Sequence, residues 1–193
     1  LYVDAVSSIG GTPVLPDEWH VDLCLGGAQK CLAALPDTCF LSVSEAAWEA
    51  IDAVDYAGYD AIKPFRTAVE RHYFPYTPGW QATAGLNAGA EAILKEGLEA
   101  CFRRHAEVAD FCHRRLAEIG YALYPAPGAV NSPTVTAVKV PAGIEWADFD
   151  RRLRAAGLVV GGSYGPMAGT VFRLGHMGTQ ADMGLMRQAL GVL

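Results

Sequence analysis

The segment Leu-Gly-Gly-Ala-Gln-Lys-Cys-Leu (residues 25–32) closes an apolar, strand-like run with a lysine set among glycine and small apolar residues. Partial desolvation of a lysine disfavours its charged form, which is what a Schiff-base lysine needs. The other three lysines, Lys63, Lys95 and Lys139, have neighbours typical of solvated side chains. A lysine in a glycine-containing turn is more often structural than catalytic, so the role of Lys30 has to be judged from its context.

Asp4 lies twenty-six residues earlier, where the apolar run Leu-Tyr-Val-Asp ends. A carboxylate at the carboxyl end of a sheet strand faces the crevice in which α/β proteins bind ligands. Asp4 can equally cap the turn that follows it, and the residues alone leave both interpretations open. In the functional interpretation, Asp4 pairs with a cationic ring nitrogen.

Arg173 interrupts the strand-like run Val-Phe-Arg-Leu-Gly (residues 171–175) and has no acidic neighbour in the sequence. A guanidinium among apolar residues needs a partner, and its fork matches a carboxylate; an internal salt bridge is the alternative. A pyridinium-binding acid, a partly desolvated lysine and a carboxylate-binding arginine are the parts that a pyridoxal-phosphate amino-acid enzyme requires.

Composition excludes several other classes of protein. With 193 residues, 51% hydrophobic and 19% charged, the chain is predicted to form one domain or one and a piece. A net charge of −6 and a pI near 5.3 argue against binding of nucleic acid. No apolar run approaches the ~20 residues that a membrane-spanning helix needs.

The cysteines and histidines do not predict a metal site or disulfides. Five cysteines form no CxxC pair, and the five histidines are scattered without ligand spacing. The cysteines are predicted to be reduced, buried thiols, which favours a cytoplasmic protein.

Hydrophobic periodicity predicts an α/β fold in two parts. Residues 1–95 are expected to be the end of a large α/β domain with a mostly parallel sheet, and residues 96–193 a smaller α+β domain. Helices are expected from Glu45, after the cap Ser44, from Thr83 to Gly120, over 145–156 and from Thr179. Strands are expected at 1–6, 21–25, 38–43, 134–140, 158–160 and 171–174. Gly85 and Gly89 are expected to let their helix pack closely.

The motifs together resemble those of the class V, fold-type I pyridoxal-phosphate aminotransferases, most closely the alanine–glyoxylate and serine–pyruvate branch. The resemblance extends in order through the following segments: Asp-Ala-Val-Ser-Ser-Ile-Gly-Gly (4–11), Gly-Ala-Gln-Lys-Cys-Leu (27–32), Phe-Pro-Tyr-Thr-Pro (74–78), Glu-Gly-Leu-Glu (96–99), Pro-Thr-Val-Thr (133–136), Gly161-Gly162, Gly165-Pro166 and Phe-Arg-Leu-Gly-His-Met-Gly (172–178). Proteins of this family are about twice as long, and the chain resembles their C-terminal half.

The resemblance implies a role for each matching residue. Lys30 would form the Schiff base with pyridoxal 5'-phosphate, and Asp4 would bind the ring nitrogen. Arg173 would bind the substrate carboxylate. The remaining expected cofactor contacts are packing on the ring (Val6), a hydrogen bond near the phosphate (Gln29), and a contact with the phosphate of the neighbouring subunit of a homodimer (Thr77).

The implied reaction is transamination between a small amino acid, such as alanine or serine, and a small 2-oxo acid, such as glyoxylate or pyruvate. Three alternatives stay open at this point: a pyridoxamine–pyruvate aminotransferase, a class V lyase or cysteine desulfurase, and a non-catalytic interaction module. Gln29 argues against a desulfurase, because those enzymes typically have His before the lysine. The cysteines, which are all expected to be buried, also argue against a desulfurase.

Overall fold

The structure is a computed structural model that describes residues 1–193. Contacts divide the chain into two units: unit 1 is Leu1–Ile9 with Val14–Ala92, and unit 2 is Gly10–Pro13 with Ile93–Leu193. None of the helices combines the length and the apolar character that crossing a bilayer requires.

Unit 1 is built on a three-stranded sheet in the order β1-β2-β3, formed by Tyr2–Asp4, Leu23–Gly27 and Cys39–Val43. Strand β1 pairs parallel with β2, and β3 returns antiparallel to it. Helix α1, Glu45–Val54, follows at once and begins where predicted, because the Ser44 hydroxyl accepts the Ala47 N–H at 3.1 Å. A 3₁₀ helix, Lys63–Thr67, interrupts the irregular aromatic stretch that precedes α2, Trp80–Glu96.

Unit 2 contains the larger core. This unit contains a sheet in the order β4-β6-β5 and three α-helices: α3 (Leu98–Glu118), α4 (Trp146–Ala155) and α5 (Met183–Val192). Its strands are Val135–Lys139 (β4), Gly161–Gly162 (β5) and Val171–Gly175 (β6), all antiparallel. Helix α3 buries one apolar face, and the core comprises Val108, Cys112, Leu116, Val138, Phe149, Leu153, Val160, Phe172, Leu174, Met186 and Leu190.

Two predicted helix starts are wrong. The region expected to be helical from Thr83 begins at Trp80 and is two helices, because Gly97 has a φ of 91° that no helix contains. The closing helix begins at Met183 and not at Thr179. Asp182 is its N-cap, with a side-chain oxygen that accepts the Leu185 N–H at 2.8 Å.

Two further expectations are also wrong. Residues 158–160 are not a strand: Val160 is buried in the core, but the chain enters the sheet only at Gly161, which pairs with Arg173. Cys39 is exposed, because it is the first residue of β3, whereas the other four cysteines are buried. The argument against a desulfurase from buried cysteines therefore does not apply to Cys39.

Three side chains of unit 2 form a buried hydrogen-bonded chain. His176 Nδ1 lies 3.1 Å from the Pro133 carbonyl, which can only accept, so this nitrogen carries the proton. The Thr136 hydroxyl then donates to His176 Nε2 at 2.8 Å and accepts from His113 Nε2 at 3.0 Å. Burial lowers the pKa of His176 to about 4, so this histidine is neutral and structural.

Candidate active site

Asp4 and Lys30 follow the same edge of the sheet in unit 1. In the parallel pair, Asp4 is the register partner of Leu25, and the next N–H, that of Ala5, donates to the Leu25 carbonyl at 2.9 Å. Asp4 ends β1, and Lys30 comes three residues after the end of β2. Both residues therefore lie at or just beyond the carboxyl ends of neighbouring parallel strands, which is where α/β sheets bind ligands.

The Asp4 carboxylate is exposed and only partly used by the chain. One oxygen, Oδ1, accepts the backbone N–H of Val6 at 3.0 Å, so Asp4 does cap the turn that follows it. The other oxygen has no hydrogen-bond partner in the structure, and Asp4 has no ion pair. Turn capping fixes the direction of the carboxylate and leaves one oxygen for a cationic ligand, so the two interpretations of Asp4 are compatible.

Lys30 is half-buried in a tight turn. Its carbonyl accepts the Ala33 N–H at 2.9 Å, and Ala33 has a φ of 52°, in the left-handed region. The thiol of Cys31 points to the Ser7 carbonyl at 3.8 Å, which connects this turn to the one after Asp4. The Nζ of Lys30 makes no hydrogen bond or ion pair within the chain, so the amine is available for chemistry.

Helix α2 packs directly on this turn. A Cβ added at Gly89 would lie 2.3 Å from the Leu32 carbonyl oxygen, so only glycine allows the contact. The prediction of close packing is confirmed at Gly89. At Gly85 it is wrong, because an added Cβ would meet nothing within 4 Å.

Val6 and Gln29 flank Gly27 at the same sheet edge. A Cβ at Gly27 would lie 2.9 Å from Val6 Cγ1 and 2.8 Å from Gln29 Oε1. Val6 is half-buried and Gln29 is exposed. Thr77 lies elsewhere in unit 1, exposed in the loop before α2. The structure thus brings four of the predicted residues to one edge and leaves Thr77 on a separate surface loop.

Arg173, in unit 2, has no carboxylate partner. Its Nε and Nη2 donate to the Gly162 carbonyl at 3.0 and 2.7 Å, and no acidic side chain lies within ion-pair distance. The internal salt bridge considered as an alternative is therefore absent. The half-buried guanidinium has an open end.

Sequence reasoning missed Tyr164, whose ring lies 5.6 Å from the Arg173 guanidinium carbon. No sequence signal marks this contact, because Tyr164 lies nine residues away in an irregular segment. Gly162, which holds the guanidinium, belongs to a motif that sequence analysis noted without giving it a role. Pairing of Gly161 with Arg173 across the sheet creates the contact.

Three proteins that are similar to this chain all have the name of an aminotransferase. An uncharacterized aminotransferase of Methanocaldococcus jannaschii is 40% identical over 91% of this chain and 46% of its own length. The alanine–glyoxylate aminotransferase of Callithrix jacchus is 34% identical over 98% of this chain and 49% of its own length. The crystal structure of pyridoxamine–pyruvate aminotransferase from Mesorhizobium loti superimposes with a TM-score of 0.93 at 33% identity, covering 99% of this chain and 51% of that one.

The chain spans about half the length of the curated relatives that it matches. The family model for class-V aminotransferases matches residues 1–188. These residues include the Asp4–Lys30 edge and Arg173 described above. The chain therefore belongs to the class-V aminotransferase family.

Proposed function

We propose that the protein is a pyridoxal-phosphate-dependent aminotransferase that exchanges an amino group between a small amino acid, such as alanine or serine, and a small 2-oxo acid, such as glyoxylate or pyruvate. The single observation that carries this proposal is that the uncommitted amine of Lys30 and the half-free carboxylate of Asp4 follow the same ends of two neighbouring parallel strands. The alanine–glyoxylate relative supports the choice of substrates.

The residues at this edge fit the cofactor. An exposed carboxylate oxygen of Asp4 suits a protonated ring nitrogen, and Val6 offers apolar surface for the ring. Lys30 Nζ can bind the cofactor aldehyde because no other group of the chain holds it. Gln29 is exposed next to Gly27 and can donate toward the phosphate. Pyridoxal phosphate, when bound, supplies an electron sink that makes the substrate α-proton acidic.

The chain's own residues then have separate tasks. Asp4 keeps the ring nitrogen protonated through its negative charge. Lys30 would hold the cofactor through its Nζ, and the same amine would carry a proton to and from the substrate α-carbon. Arg173 binds the substrate carboxylate through its open guanidinium end and fixes the orientation of the substrate.

The division of the chain follows from the same proposal. We assign residues 1–95 to the cofactor-binding large domain and residues 96–193 to the small domain; contacts divide the chain after Ala92.

A homodimer in the cytoplasm fits two observations. Large aromatic side chains around Thr77 are exposed, among them Tyr73, Tyr76 and Trp80 at 62%, 42% and 69%. All five cysteines are free thiols, as in reducing compartments.

An absorption spectrum tests the proposal. The complete protein mixed with pyridoxal phosphate should develop a visible absorption band that alanine removes and that pyruvate or glyoxylate restores. The variant Lys30→Ala should lack the band, whereas the control Lys95→Ala, which removes an exposed lysine, should keep it. A wild-type protein that binds no cofactor would refute the proposal, and it would favour the interaction module if free pyridoxamine and pyruvate also gave no alanine.

A pyridoxamine–pyruvate aminotransferase is the second candidate, because the solved enzyme of that name has the same fold over 99% of this chain at 33% identity. The two candidates differ in what the protein accepts. Formation of alanine from free pyridoxamine and pyruvate, without a requirement for bound pyridoxal phosphate, would favour the second candidate.

A further inference from the structure

The guanidinium of Arg173 is held by one edge only. Nε and Nη2 form the side of the guanidinium fork, and both donate to the single Gly162 carbonyl oxygen, at 3.0 and 2.7 Å. That edge cannot also bind a carboxylate in the side-on bidentate geometry. The hydrogens that remain are those at the end of the fork, on Nη1 and the outer side of Nη2.

The carbonyl that holds Arg173 is itself fixed by packing. A Cβ at Gly162 would lie 3.2–3.3 Å from the indole of Trp146, which is tighter than ordinary van der Waals contact. Trp146 stacks on the fully buried Phe172, with ring centroids 6.3 Å apart and planes inclined by 18°. The neighbouring Gly161 is less confined, because its Cβ would meet the guanidinium at 3.5–3.9 Å.

The ring of Tyr164 lies against the same guanidinium. Its ring centroid lies 5.6 Å from Arg173 Cζ, within the range of a cation–π contact. The Tyr164 side chain is 80% exposed, so no hydrophobic core explains why the ring lies there. The Arg173 guanidinium is the one charged group that it is found to contact.

We propose that Tyr164 is a positioning residue for Arg173. Together with the Gly162 carbonyl, it fixes the plane of the guanidinium so that only the Nη1–Nη2 end is presented, and the substrate α-carboxylate binds end-on. This inference rests on the proposed function, in which Arg173 is the carboxylate-binding residue. It adds the binding geometry and a residue that determines affinity for carboxylate substrates.

The test compares Tyr164→Leu with Tyr164→Phe in the complete protein loaded with cofactor. Propionate is a suitable probe because it is alanine without the amino group and does not react. Tyr164→Leu should weaken propionate binding and raise KM for alanine by about two- to fivefold, as loss of an exposed cation–π contact does. Tyr164→Phe should retain wild-type values, because it keeps the ring.

If Tyr164 acts by positioning Arg173, replacing it should affect only substrates that have a carboxylate. General damage to the site would affect all substrates. The rate with ethylamine, which has no carboxylate, should be unchanged in Tyr164→Leu. Tyr124→Leu, which removes another exposed tyrosine of unit 2, is the matched control and should leave both substrates unaffected. An equal loss with ethylamine and alanine would overturn the inference, since it would indicate a structural effect.

The Arg173→Ala background separates this inference from the proposed function. In that background Tyr164→Leu should have no further effect on propionate binding. If Arg173→Ala itself leaves propionate binding unchanged, the proposed role of Arg173 is wrong. If Arg173→Ala weakens binding and Tyr164→Leu does not, only the role of Tyr164 is wrong.

Discussion

Replacing Gly89 with alanine should displace the turn that carries Lys30. The added Cβ would lie 2.3 Å from the Leu32 carbonyl oxygen, and real Cβ contacts do not fall below 3.0 Å. Either helix α2 or the turn must therefore move by at least about 0.7 Å. The Cβ position is fixed by the helix backbone and the oxygen belongs to the backbone of the turn, so no side-chain rotation can relieve the contact.

The expected cost exceeds the benefit that alanine brings to a helix. Overpacking of this kind destabilises proteins by about 1–3 kcal/mol. Alanine in place of glycine inside a helix contributes about 0.5–1 kcal/mol in the opposite direction. We therefore expect Gly89→Ala to lower the free energy of unfolding by up to about 2.5 kcal/mol. A shift of the Lys30 turn by about 1 Å would also reduce the rate of transamination by up to about 100-fold.

Gly85→Ala is the matched control, because it makes the same substitution in the same helix where nothing lies within 4 Å. It should raise the free energy of unfolding by up to about 1 kcal/mol and leave the rate unchanged. Urea denaturation and single-turnover reaction with alanine measure the two quantities. The reasoning is refuted if Gly89→Ala is as stable and as active as Gly85→Ala.

Two more predictions concern charge. Asp4→Asn can keep the oxygen that accepts the Val6 N–H, so its free energy of unfolding in urea should change by no more than about 0.5 kcal/mol. Loss of the charge should slow transamination by at least about 100-fold. A wild-type rate would exclude Asp4 as partner of the ring nitrogen. Because the pKa of His176 is lowered to about 4 in the folded protein, the unfolded state binds more protons between that value and about 6.5. The free energy of unfolding should therefore fall by up to about 3 kcal/mol as pH decreases through this window. The fall should be smaller in His176→Gln. An equal dependence of the free energy of unfolding on pH in both proteins would contradict the lowered pKa of His176.

The helix and strand pattern followed the sequence at several places where local chemistry decides structure. Ser44 caps α1 as predicted, and the apolar stripe of α3 is buried, because a cap and a period of 3.6 depend only on nearby residues. The strand prediction at residues 158–160 failed because longer contacts compete. Leu158 to Val160 have the composition of a strand, but Leu158 and Val160 pack into the core of unit 2 without a sheet partner.

The sequence by itself determined the family and the identity of the candidate groups, since Asp4, Lys30 and Arg173 lie in ordered motifs that extend along the chain. It could not determine what each group contacts. Only tertiary structure placed Asp4 and Lys30 at one sheet edge, left Arg173 without an acidic partner and brought Tyr164 and the Gly162 carbonyl to it. The physical reason is that strand pairing and packing join residues far apart in the chain, and no local pattern of side chains records those contacts.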